Sequence, residues 1–337
     1  MIRSLLISLT LIVTSSLFSQ EYFTSNYTWS EDPLALSCPD SLLDEHEVNL
    51  MQVIISEFEY LEEEFIERDL YHRISYLGSD EAIENNNRVY LPIANDETLE
   101  LSKARAINPD GEIIELSQDD INIAQDEEGN TTYYYAFKGL EIGSIIEYYY
   151  IQINPADYTG TRMILQSVII QLNTSFHIVS SWNLIFAYKC FNGFGDMETD
   201  TSNTDINHLV KHFDYIPKFK FENQSFYRSN AMQVVYKLDK NIAEQEENMI
   251  NYSDMSEYVL LVSTLGTKKE RKIVKKWLKE SGAKDEPSKE QQLRTIEVFI
   301  KKNYPILDFS SDELRNLEFV VENKITNPLG FIKAIAY

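Results

Sequence analysis

The sequence predicts a mainly β protein with a C-terminal α part, in which an antiparallel β-sandwich is followed by an incomplete α/β helical segment. Short runs rich in Ile, Val, Tyr and Phe recur at similar spacing from Val48 to Leu238, which is typical of a β-sandwich. After Asn241 the apolar residues repeat with a period near 3.6, which indicates helices. The stretch Gly139–Pro155 has apolar residues on both faces of one strand, so we expect an interior strand that is covered on both sides.

The N-terminus has the plan of a secretory signal peptide. Residues 1–20 place one arginine before an apolar run from Leu5 to Val13, followed by small polar residues and a cleavage site near Ser19. This run is too short for a membrane anchor, and no later run reaches 18 apolar residues. We therefore expect an exported protein without a stable membrane span, in the periplasm, on the outer surface or outside the cell.

The composition is that of an acidic folded protein. Hydrophobic residues make up 43% of the chain, and the formal net charge is −24, nearly all of it before Asn241. A surface of this charge repels phosphate backbones, which argues against a nucleic-acid partner.

The predicted β-sandwich domain, residues 48–240, follows a polar lead-in segment, residues 21–47. In KARAINPDGEIIEL, Pro109 and Gly111 form a turn between two strands. In DEEGNTTYYYAF, Gly129 and Asn130 break the chain before the next strand.

The helical part, residues 253–337, follows an acidic linker, residues 241–252. Its first predicted helix ends at Gly282, its second begins after Pro287-Ser288, its third is SSDELRNLEFVVENK with a Ser or Asp cap, and its fourth begins near Asn327-Pro328. The first two helices carry apolar stripes made of Ile273, Val274, Trp277 and Leu278 and of Leu293, Ile296, Phe299 and Ile300.

The final run GFIKAIAY is apolar and has no helix-closing glycine or polar tail. A helix of this kind leaves an apolar face to be covered, either by another chain or by a continuation of the same polypeptide. Of the two, we expect the sequence to be the front part of a longer protein.

Three stretches in this order resemble an exported bacterial domain of unknown function that precedes transglutaminase-like domains. They are the turn from Ala104-Arg105 to Gly111, the strand Gly143–Tyr150, and the segment from Ile216-Pro217 through Glu222 to the strand ending at Leu238. The resemblance covers roughly residues 45–240. The helices from about residue 250 look like the start of the transglutaminase-like domain itself.

The resemblance implies a cysteine nucleophile at a helix N-terminus, followed by a histidine and an aspartate. The matching stretch is ENKITNPLGFIKAIAY, where the nucleophile position holds another residue, such as Ile325 or Thr326. No cysteine follows Cys190 and no histidine follows His212. We therefore expect this chain not to be an enzyme, and we assign it no catalytic, cofactor-binding or metal-binding residues.

Two combinations of histidines could form a site, but both are better explained by structural roles. Cys190 with His177, His208 or His212 would make a cysteine–histidine pair, but Cys190 follows a strand pattern with no helix N-terminus to activate it. His208 and His212 have the spacing of metal ligands on a helix, but their region indicates a loop or strand. Cys38 and Cys190 either pair in an oxidising compartment or remain separate thiols, and we favour separate thiols.

Other surface features also favour structural roles. Asp119-Asp120 and Asp126–Glu128 do not match the spacing of a calcium loop, so we interpret them as solvated turn carboxylates. KKERKIVKKWLK is interpreted as a docked surface helix and not as a membrane-binding helix. Tyr133–Tyr135 and Tyr148–Tyr150 are interpreted as strand packing, with a sugar- or peptide-binding platform as the alternative.

The leading hypothesis is an exported, non-catalytic binding or scaffold module associated with a transglutaminase-like domain. Its partner would be a protein, a peptide or the remainder of its own polypeptide. One alternative is a fragment of a transglutaminase-like cysteine peptidase whose catalytic residues lie beyond residue 337. Another is a carbohydrate-binding β-sandwich.

Overall fold

A computed structural model describes residues 22–30, 37–61, 64–93, 98–125, 131–221, 226–249, 251–264, 266–307, 311 and 313–336. The signal-peptide prediction, the Asp126–Glu128 carboxylates, Gly129-Asn130, Glu222 and Tyr337 lie outside these residues. The chain divides into two compact units, Met1–Met249 and Ile250–Tyr337.

The first unit is mainly β and the second is helical, as the sequence predicts. The strands are β1 (Glu47–Leu61), β2 (Glu64–Leu77), β3 (Arg88–Leu91), β4 (Leu99–Ile107), β5 (Ile113–Ser117), β6 (Asn122–Gln125), β7 (Thr131–Ala136), β8 (Ile145–Pro155), β9 (Thr161–Ile164), β10 (Ile170–Ser181), β11 (Leu184–Phe191), β12 (Glu198–Asp200), β13 (Ile206–Ile216), β14 (Gln233–Asn241) and β15 (Glu246–Glu247). The helices are α1 (Asp80–Asn86), α2 (Tyr227–Asn230), α3 (Tyr252–Thr264), α4 (Lys268–Glu280), α5 (Lys289–Asn303), α6 (Leu317–Asn323) and α7 (Pro328–Ala336).

Eight strands form one large open sheet in the order β12-β13-β10-β1-β2-β8-β4-β5. All of its neighbouring pairs are antiparallel except β1 and β10, which run parallel with Val48 opposite Ile170. Strand β1 therefore lies in the middle of the sheet, between its hairpin partner β2 and a strand more than a hundred residues later.

Two smaller sheets pack on one face of the large sheet, which confirms the predicted sandwich. One contains β9, β11, β14 and β15, and the other contains β3, β6 and β7. The first buries Phe186 and Tyr236 against Phe58. The second buries Tyr135 against Ile146 and neighbouring side chains of the large sheet. Burial of these large apolar side chains holds the layers together, at roughly 1.5–3 kcal/mol for each.

The apolar strand predicted from Gly139–Pro155 is β8, and it is an interior strand between β2 and β4. Ile146 and Tyr150 lie on its sandwich side, whereas Tyr149 and Ile151 lie on the opposite side. Gly143 makes the entry turn, with a φ of 99° and a hydrogen bond from Ser144 N to Glu141 O. A residue with a side chain would be strained in this left-handed conformation.

Part of the opposite face of the large sheet is covered by residues 22–30, which we call the N-terminal segment. Phe23, Tyr27 and Trp29 from this segment pack against a cluster that includes Leu70 and Tyr149. Strand β8 is thus covered on both sides, by a second sheet on one and by an irregular chain segment on the other.

The turn predicted around Pro109 joins β4 to β5. Gly111 N donates to Asn108 O at 2.9 Å, and Gly111 has a φ of 91°. The pairing of β4 with β5 confirms the two predicted strands.

The helical unit confirms most of the predicted helices. Ser288 caps α5 by accepting a hydrogen bond from Gln291 N, and Thr267 and Glu270 form a capping box at α4. The stripes of α4 and α5 bury Val274 and Trp277, with other side chains, in one core, which confirms α4 as a docked helix.

Two details of the helical unit differ from the prediction. The third helix, α6, begins later than predicted because Asn316, and not a Ser or Asp, caps it through Glu318 N. A 3₁₀ turn at Glu313–Arg315 precedes this cap. The sequence pattern does not predict helix α3, Tyr252–Thr264, as a separate helix, because the acidic residues before it are typical of a linker. Among the helices that the structure describes, none is long and apolar enough to cross a membrane.

Candidate functional site

The large sheet carries buried charged side chains on the face that lies under the N-terminal segment. Strand register places Glu57, Arg68, His72, Arg105 and Glu147 on this face, which we call the charged face. Each of these residues is less than a tenth exposed. Because a buried charge is costly unless it is paired and hydrogen-bonded, their partners determine what this face can do.

A chain of polar contacts crosses the charged face and reaches the N-terminal segment. Glu147 places one carboxylate oxygen 2.7 Å from His72 Nε2 and the other 2.5 Å from Arg105 Nε. The Tyr27 hydroxyl lies 2.6 Å from His72 Nδ1. Arg105 Nη2 also donates to Ser30 O at 2.8 Å. Burial raises the pKa of the Tyr27 phenol, which favours the protonated hydroxyl in this contact.

Glu57 provides a second anchor for the N-terminal segment. Its carboxylate accepts hydrogen bonds from Phe23 N at 2.6 Å, from Thr24 N at 3.0 Å and from the Thr24 hydroxyl at 2.6 Å. These three donors use both oxygens of Glu57, so this carboxylate binds the N-terminal segment to β1.

A cavity of about 350 Å³ lies between the N-terminal segment and the charged face. Its volume is at the lower end of the roughly 300–1,000 Å³ that is usual for small-molecule sites. Its walls combine apolar, aromatic and charged side chains, contributed by Ser25, Tyr27, Thr28, Trp29, Arg68, Glu100, Leu101, Lys103, Tyr149 and Ile151.

Arg68 is the buried cation of this cavity, and its side chain is 4% exposed. Its Nη2 donates to Glu100 Oε1 at 2.5 Å and to the Ser25 hydroxyl at 3.3 Å, and its guanidinium lies 4.4 Å from the Tyr22 ring centroid. Arg68 Nε has no hydrogen-bond partner among the described residues. A buried donor without a partner is rare in folded proteins and indicates a place for a further acceptor.

Three histidines lie together further along the same face, on β10 and β13. His177 Nδ1 is 2.9 Å from His208 Nε2, and the ring of His212 lies edge-on to His177 at 5.7 Å. His208 Nδ1 also lies 3.2 Å from the carboxylate of Asp200. Burial, followed by the neighbouring histidines, lowers the pKa of His177 to about 3. Within the described ranges, no group of three or more His, Cys, Asp and Glu side chains is arranged to hold a metal ion.

The structure separates the residues of the cysteine–histidine hypothesis. Cys190 packs against the core on the sandwich side of the large sheet, whereas His177, His208 and His212 lie on the charged face. Burial raises the pKa of the Cys190 thiol, which disfavours the reactive thiolate. Both Cys38 and Cys190 are free thiols, and they belong to different core clusters.

Several of the tyrosines and carboxylates considered in the sequence make structural contacts, whereas one tyrosine lies at the cavity. Tyr133, Tyr135 and Tyr150 are buried in strand packing, and Asp120 accepts hydrogen bonds from the Ser117 backbone and side chain. Tyr149 is the exception, because it lies on the charged face and lines the cavity.

Sequence reasoning missed Arg68, Glu100 and Glu147. Glu147 carried a signal, because it is the one charged residue between Ile145 and Ile153 in a strand that is apolar on both sides. A carboxylate inside such a strand needs a buried partner. Arg68 and Glu100 carried no comparable signal, because alternating charges on a strand are typical of a solvated face.

A family profile gives this chain its place among known proteins. The profile of a domain of unknown function with solved structure, DUF3857, matches residues 70–241, just over half of the chain. The chain belongs to the DUF3857 family. The matched region begins within β2 and ends with β14, so β1, Arg68 and the N-terminal segment lie before the DUF3857 match. A search of curated proteins finds no significant match.

Among solved structures, this DUF3857 chain is similar to a "putative protease" from Parabacteroides distasonis, with a TM-score of 0.60 and 11% identity. The similarity covers 86% of this chain and 57% of that protein, so the chain spans little more than half of its length. A "putative nutrient binding protein" from Legionella pneumophila has a TM-score of 0.33 and 9% identity, covering 85% of this chain and 88% of that one. The M1 zinc metallopeptidase of Deinococcus radiodurans has a TM-score of 0.32 and 8% identity, covering 57% and 42%.

Proposed function

We propose that this chain is an exported, non-catalytic binding module that binds a peptide segment of a partner in the cavity beneath its N-terminal segment. The observation that carries the proposal is the cavity itself, which combines apolar walls with a buried arginine whose Nε has no hydrogen-bond partner among the described residues. Ligand sites in proteins usually combine apolar walls with a few placed polar groups in this way.

Export is supported by the signal-peptide pattern of residues 1–20. If the protein is exported, the mature chain recovered from the periplasm or medium of an expressing bacterium begins close to residue 20. N-terminal sequencing that returns Met1 would contradict export through this signal.

Tryptophan fluorescence tests binding at the cavity, because Trp29 is one of its walls. A panel of short synthetic peptides, titrated to millimolar concentration, should contain members that change the emission of Trp29. Trp29→Phe should remove this change, whereas Trp182→Phe should leave it intact, because Trp182 is 56% exposed and lies outside the cavity. If no peptide changes the emission, or if the change survives Trp29→Phe, the proposed function is wrong.

A second candidate function is a part of a transglutaminase-like cysteine peptidase. It is supported by the structural similarity to the Parabacteroides protein, of which the chain spans 57%, and by the helical unit that resembles the start of a transglutaminase-like domain. The test is the gene sequence that follows the codon for Tyr337. A reading frame encoding a Cys, a His and an Asp in that order supports this function, whereas a stop codon directly after Tyr337 contradicts it.

A further inference from the structure

The side chain of Arg68 is only partly used by its neighbours. Glu100 engages it through one carboxylate oxygen and one guanidinium nitrogen, Nη2, while Nε of the same group has no partner among the described residues. A carboxylate and a guanidinium form their strongest contact as a bidentate pair, with two parallel hydrogen bonds. Glu100 therefore makes one of the two hydrogen bonds that a bidentate carboxylate would make with this guanidinium.

Glu100 is free to leave Arg68 without being buried unpaired. The side chain of Glu100 is 39% exposed, whereas that of Arg68 is 4% exposed. When Glu100 rotates into water, its carboxylate stays solvated. The buried guanidinium of Arg68 then has no counter-ion, which is destabilising unless another anion replaces Glu100.

We propose that Arg68 binds the C-terminal carboxylate of a peptide, and that Glu100 occupies the guanidinium until the peptide displaces it. This inference deepens the proposed function and rests on it, since it identifies the chemical group that the cavity recognises. The incoming carboxylate takes Nε and Nη2 together, which gives an acceptor to the Nε donor that lacks one within the described part of the chain.

The walls of the cavity favour a peptide terminus over other carboxylates. Leu101, Tyr149 and Ile151 offer an apolar surface to a side chain next to the carboxylate. A volume of about 350 Å³ leaves room for the last one or two residues of a chain. A uronic acid would instead bring several hydroxyl groups against these apolar walls, where unpaired hydroxyls are costly.

The charged groups around Arg68 are consistent with a single anion, Glu100, that a ligand can displace. Glu57 lies opposite Arg68 on β1, but its carboxylate is held by Phe23 and Thr24 of the N-terminal segment. Lys103 adds a second cation to the cavity wall. Among the described residues that line the cavity, Glu100 is thus the one carboxylate, and its removal should favour an added anion.

Calorimetric titration with acetyl-Leu-Leu and with acetyl-Leu-Leu-amide tests the inference. The free acid should bind at least about tenfold more tightly than the amide, since a hydrogen bond between charged groups contributes more than one between neutral groups. Arg68→Met should abolish this difference, and Arg68→Lys should reduce it, because lysine keeps the charge and loses the bidentate geometry.

Glu100→Gln provides an outcome that misfolding cannot produce. Loss of the competing carboxylate should tighten binding of acetyl-Leu-Leu several-fold, whereas Glu84→Gln should leave it unchanged. Glu84 is a matched control because it lies exposed on α1 and outside the cavity. Thermal melts of all variants establish that they are folded.

The outcomes separate the inference from the proposed function. If acid and amide bind equally while Trp29 still reports binding, the cavity binds peptides but the role of Arg68 is wrong. If neither probe binds and no member of the peptide panel changes Trp29 emission, the proposed function and the inference both fail. If digalacturonate binds and acetyl-Leu-Leu does not, the ligand is a sugar acid and the peptide assignment is overturned.

Discussion

Tyr27 places its hydroxyl 2.6 Å from His72 Nδ1, and this contact joins the N-terminal segment to the large sheet. His72 in turn contacts Glu147, which also holds Arg105. The segment that forms one wall of the cavity is therefore held by buried polar contacts as well as by its aromatic side chains.

Tyr27→Phe should weaken attachment of the segment. The substitution removes the hydroxyl and leaves the imidazole of His72 without that partner, which should lower the free energy of unfolding by about 1–2 kcal/mol. Urea unfolding measures the change. Tyr90→Phe, at a tyrosine that is 57% exposed, is the control and should have no effect. Equal effects of the two substitutions would contradict an anchoring role for Tyr27.

Glu147→Gln should be the more damaging change. Glu147 is 3% exposed and is the buried anion that faces both Arg105 and His72. Its neutralisation leaves the Arg105 charge without a buried counter-ion, a change that typically costs about 3–5 kcal/mol. The free energy of unfolding from urea titrations measures it, with Glu141→Gln at an exposed turn as the control. A loss below about 1 kcal/mol would show that the pair is not essential.

The histidines on β10 and β13 should make the protein less stable in acid. Burial lowers the pKa of His177 to about 3, whereas an unfolded histidine binds its proton near pH 6.5. The unfolded chain therefore takes up protons first, and stability present above about pH 6.5 is lost as the pH falls towards 3.

His177→Gln should reduce this dependence between pH 7 and pH 4.5. His46→Gln, at an exposed histidine, should leave the dependence unchanged. Urea midpoints measured across this range test the prediction, and parallel curves for His177→Gln and the parent protein would contradict it.

A buried carboxyl on the sandwich side of β2 should have the opposite pH dependence. Burial, followed by the charge of nearby Asp69, raises the pKa of Glu67 to about 8. The folded protein therefore retains a proton that the unfolded chain releases near its ordinary pKa of about 4.3. This contribution to stability is complete below that value and is lost as the pH rises through about 8.

Glu67→Gln keeps a neutral side chain at every pH and should remove the loss of stability between pH 7 and pH 9. Glu64→Gln, at the exposed start of β2, is the control. Thermal melts at these two pH values measure the effect. A variant that loses as much stability as the parent protein on raising the pH would show that Glu67 is ionised in the folded state.

Local features of this protein could be read from sequence because each depends on a few neighbouring residues. Gly143 and Gly111 occupy left-handed turn conformations that other residues rarely adopt. Ser288 caps a helix by accepting a hydrogen bond from a backbone group three residues later. The cap of α6 was misassigned because Ser, Asp and Asn compete for the same role within a few residues, and Asn316 is the one that closes the turn.

The amino-acid sequence was sufficient to predict the β character of the first unit, its principal turns, the interior position of β8 and most of the helices of the second unit. The pairing of β1 with β10 could be seen only in the folded chain, as could the meeting of Tyr27, Arg68, Glu100 and Glu147 on one side of the large sheet. The alternation of residues within a strand predicts which side chains share a face. It does not predict which strands become neighbours or which segment covers them. The cavity arises from a segment near residue 25 packing over strands near residues 70, 100 and 150, and contacts across such separations leave no periodic signal in the chain.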